Sequence, residues 1–178
     1  MTNDISNVPV ETQAGLSLFP SQNQAVEQIL DDLIQKCPAL FILLVETSGQ
    51  LISVQGEKGN IDLVALGALI AGDLAASQEI ARLTGQYQHA QLILREGPKT
   101  NTFLSEAGPQ LALYMKIDKE VPLGWARLLI QVASEQLADV VSAHPADLEK
   151  LDLGLSDEKL NGLIGDSLDS MWKEGTCI

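Results

Sequence analysis

Apolar positions along the chain follow helical spacing in some stretches and form short unbroken or alternating runs in others. In "SQNQAVEQILDDLIQKCP", Val26, Ile29, Leu30, Leu33, Ile34 and Cys37 recur at helical spacing. This predicts a helix capped by Ser21, with Gln24 three residues on completing a capping box and Pro38 ending it. "ALFILLVE", Ala39 to Glu46, is a continuous apolar run bounded by turn residues. It is too short for a good helix and reads as a central strand buried on both faces. The Gly49 turn and "LISVQ" make it a hairpin. After the loop "GEKGN", Asn60 or Asp62 can cap a second helix, "LVALGALIAGDLAASQEIARL", which Gly85 stops. "YQHAQLILRE", "NTFLSE" and "QLALYMKID" follow as a three-stranded meander, separated by the turn signals "GPKT" and "AGP". Pro122, in the first turn, opens a last long helix with a stripe from Trp125 to Val141.

The order is helix, two strands, helix, three strands, helix. Strands joined by hairpins make a mostly antiparallel sheet, and strands apolar on both sides need helices on both faces, so the class is α+β. Residues 1–20 show no periodicity and read as a flexible lead, leaving a domain over 21–141. The remainder, 142–178, is an acidic tail with eight acidic and three basic residues. Within it Leu160, Leu163, Ile164, Leu168, Met171 and Trp172 recur at helical spacing after a possible cap at Ser156, which predicts a short amphipathic helix. That helix docks on its own domain, binds a partner or stays frayed.

The second helix is unusual in its small residues. Gly67, Ala71 and Ala75 fall four apart, and Ala68, Gly72 and Ala76 do the same on a neighbouring line. A glycine inside a helix costs about 1 kcal/mol against alanine. Two such ridges let a second helix backbone come close, and a two-fold dimer would supply it. The other reading is that alanine simply favours helix and the glycines fit against the sheet. The strand "HAQLILR", if it is an edge, would be prone to aggregation unless paired with a twin, and Leu92 and Ile93 lie on it.

Composition narrows the function. The chain has 178 residues, enough for one domain with a real core, and its few aromatics leave that core aliphatic. A formal charge of −13 argues against nucleic acid and against an anionic membrane surface. It suits a basic patch on a protein partner. The start, "MTNDISNVPVETQAG", has neither the basic region nor the apolar run of a targeting signal, and no stretch approaches roughly 18 uninterrupted apolar residues. Cys37, in an apolar context, reads as a small core residue, and Cys177 is misplaced for prenylation. A reduced, cytoplasmic protein is expected.

Catalytic patterns are missing. His89 and His144 do not make a metal pair by spacing, and neither cysteine joins them. No phosphate loop, dinucleotide fingerprint or nucleophile elbow is present. "EGPKTN" is a hairpin turn by context, and Asp31, Asp32 and Asp157 to Lys159 are solvated helix positions. The expectation is no enzyme, no catalytic residue, no metal and no cofactor.

The element order resembles the Roadblock (dynein light chain) family, and in kind the bacterial gliding regulators within it. The segments that carry the resemblance are "LFILLVETSGQLIS", the small-residue helix, "AQLILREGPKTNTFLSEAGPQLALYMKID" and "PLGWARLLIQVASEQLADVV". The last is entered through Leu123 and Gly124, with Arg127 one turn on. The resemblance implies a profilin-like, three-layer α/β/α fold. Its five-stranded antiparallel sheet would have the order 2-1-5-4-3, with the first and third helices on one face and the second on the other. It implies pairing of edge strands and second helices with a twin, or with a related Roadblock protein, and partnership with a small Ras-like GTPase. The expected dimer residues are Gly67, Ala68, Ala71, Gly72, Ala75, Ala76, Leu92 and Ile93. The expected partner face is Asp73, Gln78, Glu79 and Arg82 on the paired second helices. An alternative is a nucleotide-independent adaptor that docks Leu160, Ile164, Leu168 and Trp172 in a groove. A ligand-sensing domain ranks last, since the apolar interior offers no polar anchor. An arginine finger is not favoured for Arg82, Arg95 or Arg127, the chain's three arginines.

Overall fold

The run Ala39–Glu46 forms strand β1, with six consecutive buried residues from Phe41 to Glu46. The computed structural model describes residues 10–11, 16–85, 92–151, 153–154, 160 and 162. Strands β2 (Leu51–Gly56), β3 (Leu92–Glu96), β4 (Thr100–Glu106) and β5 (Leu111–Asp118) complete one sheet. Every pairing is antiparallel, in the order β2-β1-β5-β4-β3. The central strand is therefore β5, paired on one side with β1 from far back in the sequence, and β3 is an edge.

Three helices cover the sheet: α1 (Pro20–Lys36), α2 (Leu63–Leu83) and α3 (Leu123–Ser142). Alternation along β1 divides the core. Ile42 and Leu44 join α1 and α3 in the larger cluster, while Phe41, Leu43 and Val45 meet Ile70 and Leu74 of α2 in the smaller. The result is the three-layer, profilin-like arrangement expected.

Helix starts follow local chemistry. The Asp62 carboxylate accepts from the backbone N–H groups of Val64 and Ala65 at 3.1 and 3.0 Å and caps α2. For α1, the expected cap at Ser21 with Gln24 is corrected. The helix starts at Pro20, a residue suited to the first helical position, and Gln22 Oε1 accepts from the Phe19 N–H at 3.0 Å. Gln22 Nε2 also donates to the carbonyls of Val140 and Ala143 at the far end of α3, at 3.0 and 3.1 Å. Pro122 precedes α3 as its N-cap rather than sitting in its first turn.

Both chain ends add to the core. Leu16 and Leu18 are buried, and Ser17–Leu18 forms a two-residue ladder with Val10–Glu11. Part of the expected flexible lead thus belongs to the domain. Two apolar residues at alternate positions are too few to register as a pattern. Beyond α3, Pro145–Lys150 forms a 3-10 turn capped by His144, whose Nδ1 accepts from the Ala146 N–H at 3.3 Å. Leu148 and Leu160 are buried in the larger cluster, and the Gln136 amide donates to the Gly154 carbonyl at 2.8 Å. The described residues after Ser142 therefore form a strap over the side of the domain that carries α1 and α3.

Candidate protein-interaction surface

Among the described residues helix α2 is the one helix on its side of the sheet, and its small residues divide between two tasks. Gly67 faces inward: a Cβ there would lie 2.7 Å from the Gly49 carbonyl oxygen and 3.5 Å from Val45 Cγ1. Gly49 in turn has φ +92°, and its own added Cβ would lie 2.9 Å from the Ala68 Cα. The two glycines let α2 ride directly on the β1–β2 turn. Ala71 is also buried against the chain's own sheet. Gly67 and Ala71, expected in a dimer interface, thus already have neighbours within the protomer.

The second line faces outward. Ala68, Gly72, Ala75 and Ala76 are exposed, and nothing lies within 4 Å of a Cβ added at Gly72. Val64, Ala68, Gly72, Ala76 and Ile80 form one row four residues apart. Its ends are bulky and its middle is bare. Val64 is 77% exposed, Leu69 70%, Ile80 62% and Leu83 75%. Sequence reasoning passed over these four large residues. The signal is present in the first half of α2, Leu63 to Gly72, which has no polar side chain on any side, and a helix on one face of a sheet can bury only part of that. By length and composition α2 would even suffice to cross a membrane. Ile70 and Leu74 hold its inner side to the sheet.

Polar residues rim this face. Asp73 Oδ1 receives Arg95 Nη2 of β3 at 2.6 Å, tying α2 to the sheet edge. That hydrogen bond raises the Arg95 pKa further above its already high value. Both side chains are partly exposed, so the pair contributes on the order of 0–1 kcal/mol. Arg82 grips Glu79 through two contacts, Nε–Oε2 at 2.9 Å and Nη2–Oε1 at 2.6 Å. Gln78, Ala75, Glu79 and Arg82 line a shallow depression of about 360 Å³. Gln78, Glu79 and Arg82 thus lie near one another on α2, while Asp73, about half a turn away around the helix, faces the β3 edge, and each charged member already has an intramolecular partner.

On β3, alternation places Ile93 and Arg95 toward α2 and Leu92 and Leu94 toward α3. Leu92 and Ile93 are half-buried, and the outer backbone of β3 pairs with no other strand among the described residues. Residues 86–91, with His89, lie outside the described residues. Of the expected docking peptide, Leu160 is only 2% exposed and belongs to the domain's own core. Of the alternatives for this segment, the burial of Leu160 beside α1 and α3 accords with docking on its own domain. Ile164, Leu168 and Trp172 lie outside the described residues. Cys37 is buried, and burial pushes its thiol pKa up to about 11, which suits a core residue. No group of three His, Cys, Asp or Glu side chains converges among the described residues.

Neither a protein-family model nor a curated protein matches the chain. Solved structures do. The chain is 32% identical to MglB of Myxococcus xanthus, with 65% of this chain and 93% of that one covered and a TM-score of 0.61. It is 25% identical to an MglB in a tetrameric arrangement, with 74% and 97% covered and a TM-score of 0.65. A Roadblock/LC7 domain from Streptomyces avermitilis shares the fold at 20% identity, with 64% and 88% covered and a TM-score of 0.50. The fold, the lone α2 over its sheet and the near-complete coverage of an MglB agree: the chain belongs to the Roadblock family and is of the MglB-like kind.

Proposed function

We propose that this protein is a homodimeric, non-enzymatic regulator of a small Ras-like GTPase, working in the cytoplasm. The observation that carries the reading is the outer face of α2. Four large apolar side chains at 62–77% exposure on one helix form an apolar patch of the kind that marks an interaction site. The bare middle of its row at Gly72 suits a second α2 crossing there, with the bulky ends interleaving. The β3 edge beside it would pair with its twin and so be protected. A related MglB occurs in a tetrameric arrangement, which supports self-association.

The GTPase would then meet a surface made by both copies. Its polar contacts would come from Asp73, Gln78, Glu79 and Arg82, at the rim of the apolar face. Arg82 is held by Glu79, which favours repositioning of the GTPase's own residues over insertion of an arginine finger. The adaptor reading is weaker, since Leu160, the first anchor of its docking peptide, is buried in the domain.

The test is the mass in solution by light scattering, followed by hydrolysis of GTP by the Ras-like GTPase encoded nearest this gene, with and without the protein. A dimer that binds the GTP-loaded form preferentially and changes the hydrolysis rate is the expected result. A monomer at micromolar concentration removes the dimer. Binding that ignores the nucleotide removes the regulator and leaves the adaptor.

A further inference from the structure

On the α1/α3 side of the sheet, away from the outer face of α2, a groove of about 230 Å³ opens between the β3 edge and the first turns of α3. Leu92, Leu94 and Phe103 form its apolar floor, and Leu123, Gly124 and Arg127 its wall. Leu94 is 40% exposed, and Arg127 is exposed on α3. Arg82 and Arg95 are held by carboxylates, whereas Arg127 has no ion-pair partner among the described residues. An exposed guanidinium beside exposed leucine, on a chain of net charge −13, calls for an occupant both apolar and acidic.

The chain carries such a segment and delivers it to this side of the sheet. Leu160 is buried in the α1/α3 core, and the sixteen residues 163–178 follow. They include Leu163, Ile164, Leu168 and Trp172, with Asp166, Asp169 and Glu174 against a single lysine, Lys173. Helix α3 lies over β4 and β5, so the segment has only that helix to cross before it reaches β3. A helix with its side chains is about 10–12 Å across. Sixteen extended residues reach about 50 Å.

We propose that residues 163–178 dock in this groove of their own domain, with apolar side chains on Leu92 and Leu94 and carboxylates against Arg127. The segment would then cover one side of the β3 edge and leave the outer face of α2 open. The proposal does not depend on the GTPase reading.

The test uses the full chain with a nitroxide on Cys177; Cys37, buried and with its thiol pKa pushed up to about 11, does not compete for the label. In isotopically labelled protein, the resonances of Leu92, Leu94 and Gly124 should lose intensity and recover when the nitroxide is reduced. Trp172→Ala, and separately Arg127→Glu at an exposed position, should restore most of that intensity without reducing the label. Undiminished groove resonances overturn the proposal, as does loss centred on Val64, Leu69 and Ile80. Loss seen only between labelled and unlabelled molecules in a mixed sample overturns docking within one chain. No GTPase is present, so failure here is separate from failure of the proposed function.

Discussion

Replacing Gly67 by alanine should destabilise the protein, although alanine is the better helix former. The added Cβ would sit 2.7 Å from the Gly49 carbonyl oxygen, a backbone atom at the tip of a turn with φ +92° at its glycine. Either α2 lifts or the turn moves. Overpacking of this kind costs about 1–3 kcal/mol. The helix-propensity gain returns about 1 kcal/mol. The net loss is therefore up to about 2 kcal/mol, with a central value near 1 kcal/mol. For a chain of this size that lowers the Tm by about 2–4 °C. Thermal melts of wild type and Gly67→Ala at one fixed protomer concentration measure it, since self-association makes the Tm concentration-dependent. Gly67→Val, with two more methyl groups at the same spot, should fall further. If Gly67→Ala instead raises the Tm by about the propensity gain, α2 does not ride on the β1–β2 turn at this distance, and the division of the small residues between two faces fails with it.

Gly72→Leu leaves the protomer unstrained, since nothing lies within 4 Å of an added Cβ, but should reduce the light-scattering mass from dimer to monomer. An unchanged mass would place the twin elsewhere. Leu160→Ala should cost about 2–5 kcal/mol in urea denaturation, as expected for a buried leucine; a loss under about 0.5 kcal/mol, the range of ordinary surface substitutions, would mean that the strap adds nothing to the core. Arg95→Ala should cost less than about 1 kcal/mol, because its pair with Asp73 is partly exposed. Cys37 is held as a neutral thiol up to about pH 11 in the fold, against an ordinary value of 9.0. The unfolded chain ionises first, so this contribution is complete below pH 9 and fades as pH rises toward 11. Wild type should lose more stability over that window than Cys37→Ala, and equal losses would contradict the burial.

Much of the architecture is legible because strand runs are bounded by strong turn residues and helix stripes by caps. Ala39 to Glu46 is a strand over the range its apolar run marks, and Asp62 caps α2 as one of two candidates. Other features turn on contacts that no local pattern encodes. Gly67 and Ala68 are adjacent, about 100° apart on the helix, and one faces the sheet while the other faces solvent. The first half of α2, Leu63 to Gly72, has no polar side chain and so no stripe to say which is which. Leu16, Leu18 and Leu160 join the core from segments too short or too acidic to declare it. The α1 cap rests on Gln22, whose amide also reaches Val140 and Ala143 more than a hundred residues later.

The centre of the sheet has a consequence for synthesis on the ribosome. Strand β1, the most buried strand near the N-terminus, has its second neighbour in β5, with Ala39 opposite Ile117 and Glu46 opposite Leu111. Until that neighbour emerges, the nascent chain can offer β1 only the hairpin with β2, leaving one fully apolar edge open. The Gln22 contacts to the end of α3 cannot close until later still. Closure of such long loops is slow, and open strand edges invite aggregation. Folding of this domain is thus a late event in translation, and the half-made chain is a natural client for chaperones.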